Sequence, residues 1–162
     1  MFTTQADYAV TDLGAAGSNA DGLCMSAAQA AGFSRTYRAI LASSTRAPST
    51  LLQSKGAVYI FDSLATKLLV ADTLSALWST PSTPLQNTVS YDEYGAGPGS
   101  QLVWTGANSD GTYFSTSSCV DWSSAAGGPT GRIGRPSDTD GQWLDRANLP
   151  CNLRARLYCI SQ

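Results

Sequence analysis

Four cysteines, a single glutamate and two closely spaced aspartates are the residues with which this chain could do chemistry. Cys24, Cys119, Cys151 and Cys159 form no C-x-x-C pair, and the 162 residues include no histidine, so a structural zinc site lacks a ligand set. Without histidine there is also no Ser-His-Asp or Cys-His site and no ordinary imidazole base. Glu93 stands beside Asp92; neighbours on a strand point to opposite faces, a poor arrangement for a paired acid and base. Asp138-Thr139-Asp140-Gly141 opens with the acid spacing of a calcium loop. The third ligand before the glycine and the late glutamate are both missing, so a polar turn is the better reading. The chain is therefore expected to be no enzyme and to carry no metal and no cofactor.

If the cysteines do not act as nucleophiles or ligands, their spacing suits two structural disulfides. Four cysteines allow three pairings, and the residues alone leave all three open. Any bond from Cys24 closes a loop of about a hundred residues or more, and such bonds imply an oxidising final environment. Charged residues are only 14% of the chain and the net charge is −2, so nothing draws the whole protein to nucleic acid or an anionic membrane. No apolar run approaches the roughly 20 residues of a membrane helix. Residues 1–20 have neither a basic start nor an apolar core of a signal peptide. A leader replaced by another start, or release of a phage-like particle by lysis, would reconcile that start with an oxidising destination.

The elements that must position these residues follow from periodicity. Residues 1–17 read as an amino-terminal extended segment, with Tyr8-Ala9-Val10 as strand and a Gly/Ala linker, ahead of one domain over 18–162. Ser18 or Asn19 caps a helix in which Leu23, Cys24, Ala27, Ala28 and Ala31 recur at three- and four-residue spacing, and Gly32 stops it. Cys24 thus lies on a buried face. Thr36–Leu41, Val58–Phe61, Leu68–Val70, Leu102–Trp104 and Arg154–Ile160 read as strands, and Cys119–Trp122 as the edge of another. Asp72 caps a second helix carrying Leu74, Leu77 and Trp78. Residues 79–101 and 123–150 are rich in Gly, Ser and Pro and read as long loops.

Several of these stretches together resemble a known family. Ala20-Asp21-Gly22-Leu23-Cys24, then Thr36-Tyr37-Arg38-Ala39-Ile40-Leu41-Ala42-Ser43-Ser44, is similar to the opening of the endostatin domain of collagens. Leu68-Leu69-Val70 with Leu74 to Trp78, Val103-Trp104-Thr105-Gly106, Cys119-Val120-Asp121-Trp122 and Leu157-Tyr158-Cys159-Ile160 follow in the same order. Bacterial endostatin-like surface domains resemble the chain still more in the Ala-rich helix and the Val-Trp-Thr-Gly block. The resemblance implies an α+β fold of C-type-lectin-like type with two helices, a mixed or antiparallel sheet and long loops. It also implies nested disulfides, Cys24–Cys159 and Cys119–Cys151. The family's histidine zinc site and the lectin calcium motifs do not occur here.

The functional expectation is a non-catalytic module that binds a glycan or protein on a cell surface, plausible as the receptor-binding tip of a phage-like particle or appendage. Its ligand-binding residues are expected in the two loops: Tyr91, Asp92, Tyr94, Asp138, Asp140 and Trp143. Rings stack on sugar faces or anchor protein contacts, and neighbouring carboxylates fix orientation. Core positions are the alternative reading for Trp143 and Tyr91. The alternative function is a structural or extracellular-matrix interaction protein. Partners are a cell-surface glycan or protein and other subunits of an assembly, with no nucleic acid and no membrane insertion; the location is extracellular, on a virion-like particle or a cell surface.

Overall fold

Short elements dominate this chain, because few stretches keep one hydrophobic period for more than five residues. The structure, a computed structural model, describes residues 1–52, 56–80, 82–97 and 101–162. In order, its elements are β1 (Phe2–Thr3), β2 (Tyr8–Ala9), α1 (Val10–Leu13), α2 (Ala20–Ala30), β3 (Tyr37–Ala39), α3 (Pro48–Leu51), β4 (Val58–Phe61) and β5 (Lys67–Ala71). There follow β6 (Val103–Trp104), α4 (Cys119–Trp122), β7 (Thr130–Gly134), β8 (Ala147–Pro150), β9 (Arg154–Ala155) and β10 (Tyr158–Ser161). The fold is α+β, with antiparallel sheets ordered β1-β10-β3, β2-β9, β4-β5 and β6-β7-β8. Among the described residues no helix is long and apolar enough to cross a membrane.

The helix around Cys24 forms as its spacing predicts. Cys24, Ala27 and Ala28 are buried along one face of α2, and the alanines let the helix lie close to the sheet. Gly32 follows with φ +81°, the left-handed stop that glycine adopts without strain. Cys24 bonds Cys159 in the middle of β10, and Cys119 bonds Cys151, the nested pairing that the resemblance implies. Two structural disulfides fit an oxidising environment.

Four expectations are corrected. Residues 1–17 are not a separate extended segment: Phe2 pairs with Cys159, Thr3 with Tyr158, and Val10 and Leu13 are wholly buried. Their apolar side chains complete the core around α2, which two-residue strand signals do not reveal. The stretch 123–150 is not one long loop, since β7 and β8 pair from Thr130↔Pro150 to Ile133↔Ala147. Two of its glycines, both in β7, are packing residues: a Cβ on Gly131 would lie 2.8 Å from Cys119 Sγ and 2.9 Å from the Trp104 ring, and one on Gly134 would collide with the Trp143 carbonyl. The helix expected after Asp72 is a 3₁₀ stretch, Ser75–Ser79, and the described helical segments include α1, α3 and α4 besides α2. Asp72 does not cap that stretch: its Oδ2 accepts from Gln86 Nε2 at 2.9 Å, and it is Thr73 Oγ1 that accepts from Ala76 N, at 3.2 Å. Within 79–101, residues 81 and 98–100 lie outside the described residues.

Finally, Cys119–Trp122 is neither strand nor ordinary helix. Its residues have φ of +53°, +54°, +53° and +63°, one left-handed turn built without glycine. Such a conformation costs roughly 1–2 kcal/mol per L-residue, so its surroundings must impose it. Trp122 is buried with its ring edge-on to Trp104, centroids 5.8 Å apart, and its Nε1 donates to Ala42 O at 2.7 Å. The Asp121 carboxylate accepts from Ser44 N at 2.9 Å and Ser44 Oγ at 2.6 Å.

Candidate functional site

Two tight turns build one wall of a surface cleft. In the β4–β5 hairpin, Asp62 Oδ1 accepts from Leu64 N at 2.9 Å and Thr66 N at 2.8 Å, folding the tip back on itself. These bonds hold the Asp62 carboxyl below its ordinary range. In the second turn Asp92 Oδ1 accepts from Tyr94 N and Ala96 N, both at 2.9 Å, which turns the Tyr94 ring outward. Gly95 joins the two turns. With φ +78°, it has room for no side chain, because a Cβ there would lie 2.6 Å from the Asp62 carbonyl carbon.

The opposite wall is the chain that leaves α2. Phe33 stacks near Tyr37 with centroids 5.8 Å apart, and Phe2 lies 5.2 Å from Tyr37. Met1, Val58 and Ile160 contribute to the lining, and the space enclosed is about 880 Å³, in the range of small-ligand sites. Along the hairpin, Val58 and Ile60 face the core while Tyr59 and Phe61 face out. Lys67 Nζ lies 3.8 Å from the centre of the Tyr59 ring, a cation held on an aromatic face. Arg35 is a second cation on the lining.

The electrostatics of the cleft are shaped by burial. The amino group of Met1 donates to Tyr59 O at 2.6 Å, and burial brings its pKa down to about 5. Glu93 is buried and accepts from Gln5 N at 2.7 Å; desolvation pushes its carboxyl above the usual range. A carboxyl whose pKa is raised on folding favours the folded state while protonated. That contribution is lost as pH rises from the unfolded value, about 4.3, through the folded one. Glu93→Gln is therefore expected to have the shallower fall in melting temperature across that interval. A wild-type-minus-variant difference that grows more favourable to the wild type with rising pH would contradict the assignment.

Of the six residues expected to bind ligand, Asp92 and Tyr94 line this cleft. Asp92 does so as the acceptor that shapes the turn, and Tyr94 as an exposed ring. Tyr91 is half-buried against the core beneath the β4–β5 hairpin, and its carbonyl accepts from Thr3 N. The other three are elsewhere. Asp138 is taken up by two arginines, Arg135 Nε at 2.8 Å and Arg146 Nη1 at 2.9 Å. Asp140 caps the 3₁₀ turn Gly141–Trp143, accepting from Gln142 N at 2.9 Å. Trp143 is fully buried, its ring 5.3 Å from Tyr158 and 6.3 Å from Trp78, so the expectation that it meets a ligand is replaced by a core role.

Sequence reasoning missed Phe61, Tyr59, Lys67, Arg35 and Phe33. The alternation of Val58-Tyr59-Ile60-Phe61 was the available signal, since it places two rings on the outer face of one strand. Chemically, Asp62 and Asp92 are committed to turns, and what the cleft offers a ligand is aromatic faces with two cations at the edge. No family model matches the chain, and no curated protein matches it in sequence.

Proposed function

We propose that this protein is a non-catalytic recognition module of endostatin-like, C-type-lectin-like fold, which holds a glycan or protein of a cell surface in the cleft between the β4–β5 tip and the 31–37 chain. The observation that carries this reading is the cleft itself, with Tyr94 and Phe61 both exposed on one wall, where Gly95 lies against the Asp62 backbone too closely for a side chain. Exposed rings on a fixed wall bind without first being ordered, and they stack on sugar faces or anchor a protein contact. The disulfides agree with an extracellular place of work, and a phage-like particle or a cell surface would both provide it.

Tyr94→Ala combined with Phe61→Ala tests the reading by glycan array and cell attachment. Attachment is expected to fall at least tenfold while the melting temperature stays within a few degrees, because both rings are exposed. Unchanged attachment would overturn the cleft as the site. Leu64, 84% exposed at the hairpin tip, favours the alternative of a structural or matrix-interaction protein. Attachment that survives removal of cell-surface glycans but is lost in Leu64→Ala would establish a protein partner.

A further inference from the structure

Besides the hydrogen bonds within the turn and to Ser118, three ties of different strength fasten the left-handed turn to the rest of the fold. Trp122 is buried and bonded to Ala42 O, Asp121 grips Ser44, and Cys119 is bonded to Cys151. Only the last is covalent. A run of four non-glycine residues at positive φ persists where its surroundings leave no alternative, and Val120, β-branched and 61% exposed, has no packing that would hold it there. Its neighbours place the Cys119–Cys151 bond beneath a surface turn, between exposed Val120 on one side and exposed Asn152 and Leu153 on the other. Cys24 and Cys159 sit mid-helix and mid-strand; all four cysteines are fully buried in one core cluster, and of the four only Cys119 lies in a run of positive φ.

We propose that Cys119–Cys151 is a redox latch on this turn: its reduction lets Cys119–Trp122 relax out of the left-handed conformation and uncouples Asp121 from Ser44, while Cys24–Cys159 and the sheets stay in place. The reductant is a dithiol. Its thiolate attacks the bond, it gives up two electrons and two protons, and it closes into its own disulfide, leaving thiols at Cys119 and Cys151. Relaxation of the backbone favours the reduced form, so this bond opens more readily than Cys24–Cys159, which adjoins no run of positive φ. Ser44 lies in the turn closed by Ser43 and Arg46, and Arg46 donates to the Asp21 carboxylate of α2 and to Ala39 O of β3. Ser44 is thus linked through Arg46 to α2 and β3, whose own pairing the opening leaves in place.

A double-mutant cycle tests the latch on the full chain. Val120→Gly removes the penalty of positive φ and is expected to raise the melting temperature of the oxidised protein by about 2–4 °C. In the Cys119→Ala/Cys151→Ala background the same substitution is expected to give no gain, because the turn has already relaxed. An equal gain in both backgrounds would overturn the proposal. Should the double-alanine protein not fold, amide exchange of the wild type in dithiothreitol decides, with alkylation mapping to show which bond is open. Joint loss of protection at 118–124 and at Ser44, with Cys24–Cys159 intact, is the expected result. Protection unchanged at those amides after Cys119–Cys151 has opened, or Cys24–Cys159 opening first, would sink it.

Discussion

Trp143→Ala will lower the free energy of unfolding by about 3–5 kcal/mol, the range for truncating a buried tryptophan. The ring is enclosed by Trp78 and Tyr158, its Nε1 donates to Thr80 Oγ1 at 3.3 Å, and its carbonyl accepts from Tyr158 Oη at 2.8 Å. Alanine leaves a cavity between Trp78 and Tyr158, beside Thr80, and the cost is set by how little the surroundings can collapse into it. Asp140→Ala, which removes only the cap of the same turn, should cost about 1 kcal/mol. Urea unfolding of both variants separates the roles. If Trp143→Ala unfolds with the wild type and loses attachment instead, Trp143 meets the ligand and the core assignment fails.

Removing the Cys24–Cys159 bond as the alanine pair should cost about 5 kcal/mol, the chain-entropy value for a loop of this length. Its ends are 135 residues apart, so it holds α2 to the central strand across most of the chain. Cys119–Cys151 spans 32 residues, for which the same relation gives about 4 kcal/mol. If the turn relaxes once that bond is gone, the measured loss will be smaller than this figure. Equilibrium unfolding of the two alanine pairs should thus show a wider gap than loop length alone supplies. A larger loss from the Cys119–Cys151 pair would mean that the core can do without its long-range tie.

What could be read in the sequence was whatever local period decides. Helix α2 is legible because alanines and Cys24 recur on one face, and Gly32 ends it where a left-handed residue is required. Tyr94 and Asp92 are legible as an aromatic beside an acid in a turn. The misses have a different origin. Gly131 and Gly134 look like loop residues, yet they sit in β7 because Cys119 and the Trp143 carbonyl leave no space for a Cβ. Trp143 in a Gly/Ser-rich stretch looks exposed until β7 and β8 are paired. The turn at Cys119–Trp122 has neither glycine nor asparagine to announce positive φ, because tertiary contacts impose it. The cleft needs the hairpin and the 92–95 turn in contact, a pairing across about thirty residues that no local pattern specifies.

That pairing bears on how much the surface of the cleft could vary over generations. Gly95 meets Asp62 through backbone, so the spacing of the wall does not depend on which side chains decorate it. Positions 61, 64 and 94 project outward from this junction and are open to substitution in a way that position 95 is not. A combinatorial library at those three sites should therefore yield well-folded members with divergent targets, whereas Gly95→Ala should reduce folded yield throughout. If the cleft binds as proposed, the junction makes the tip of the molecule a scaffold on which specificity could be exchanged without rebuilding the core.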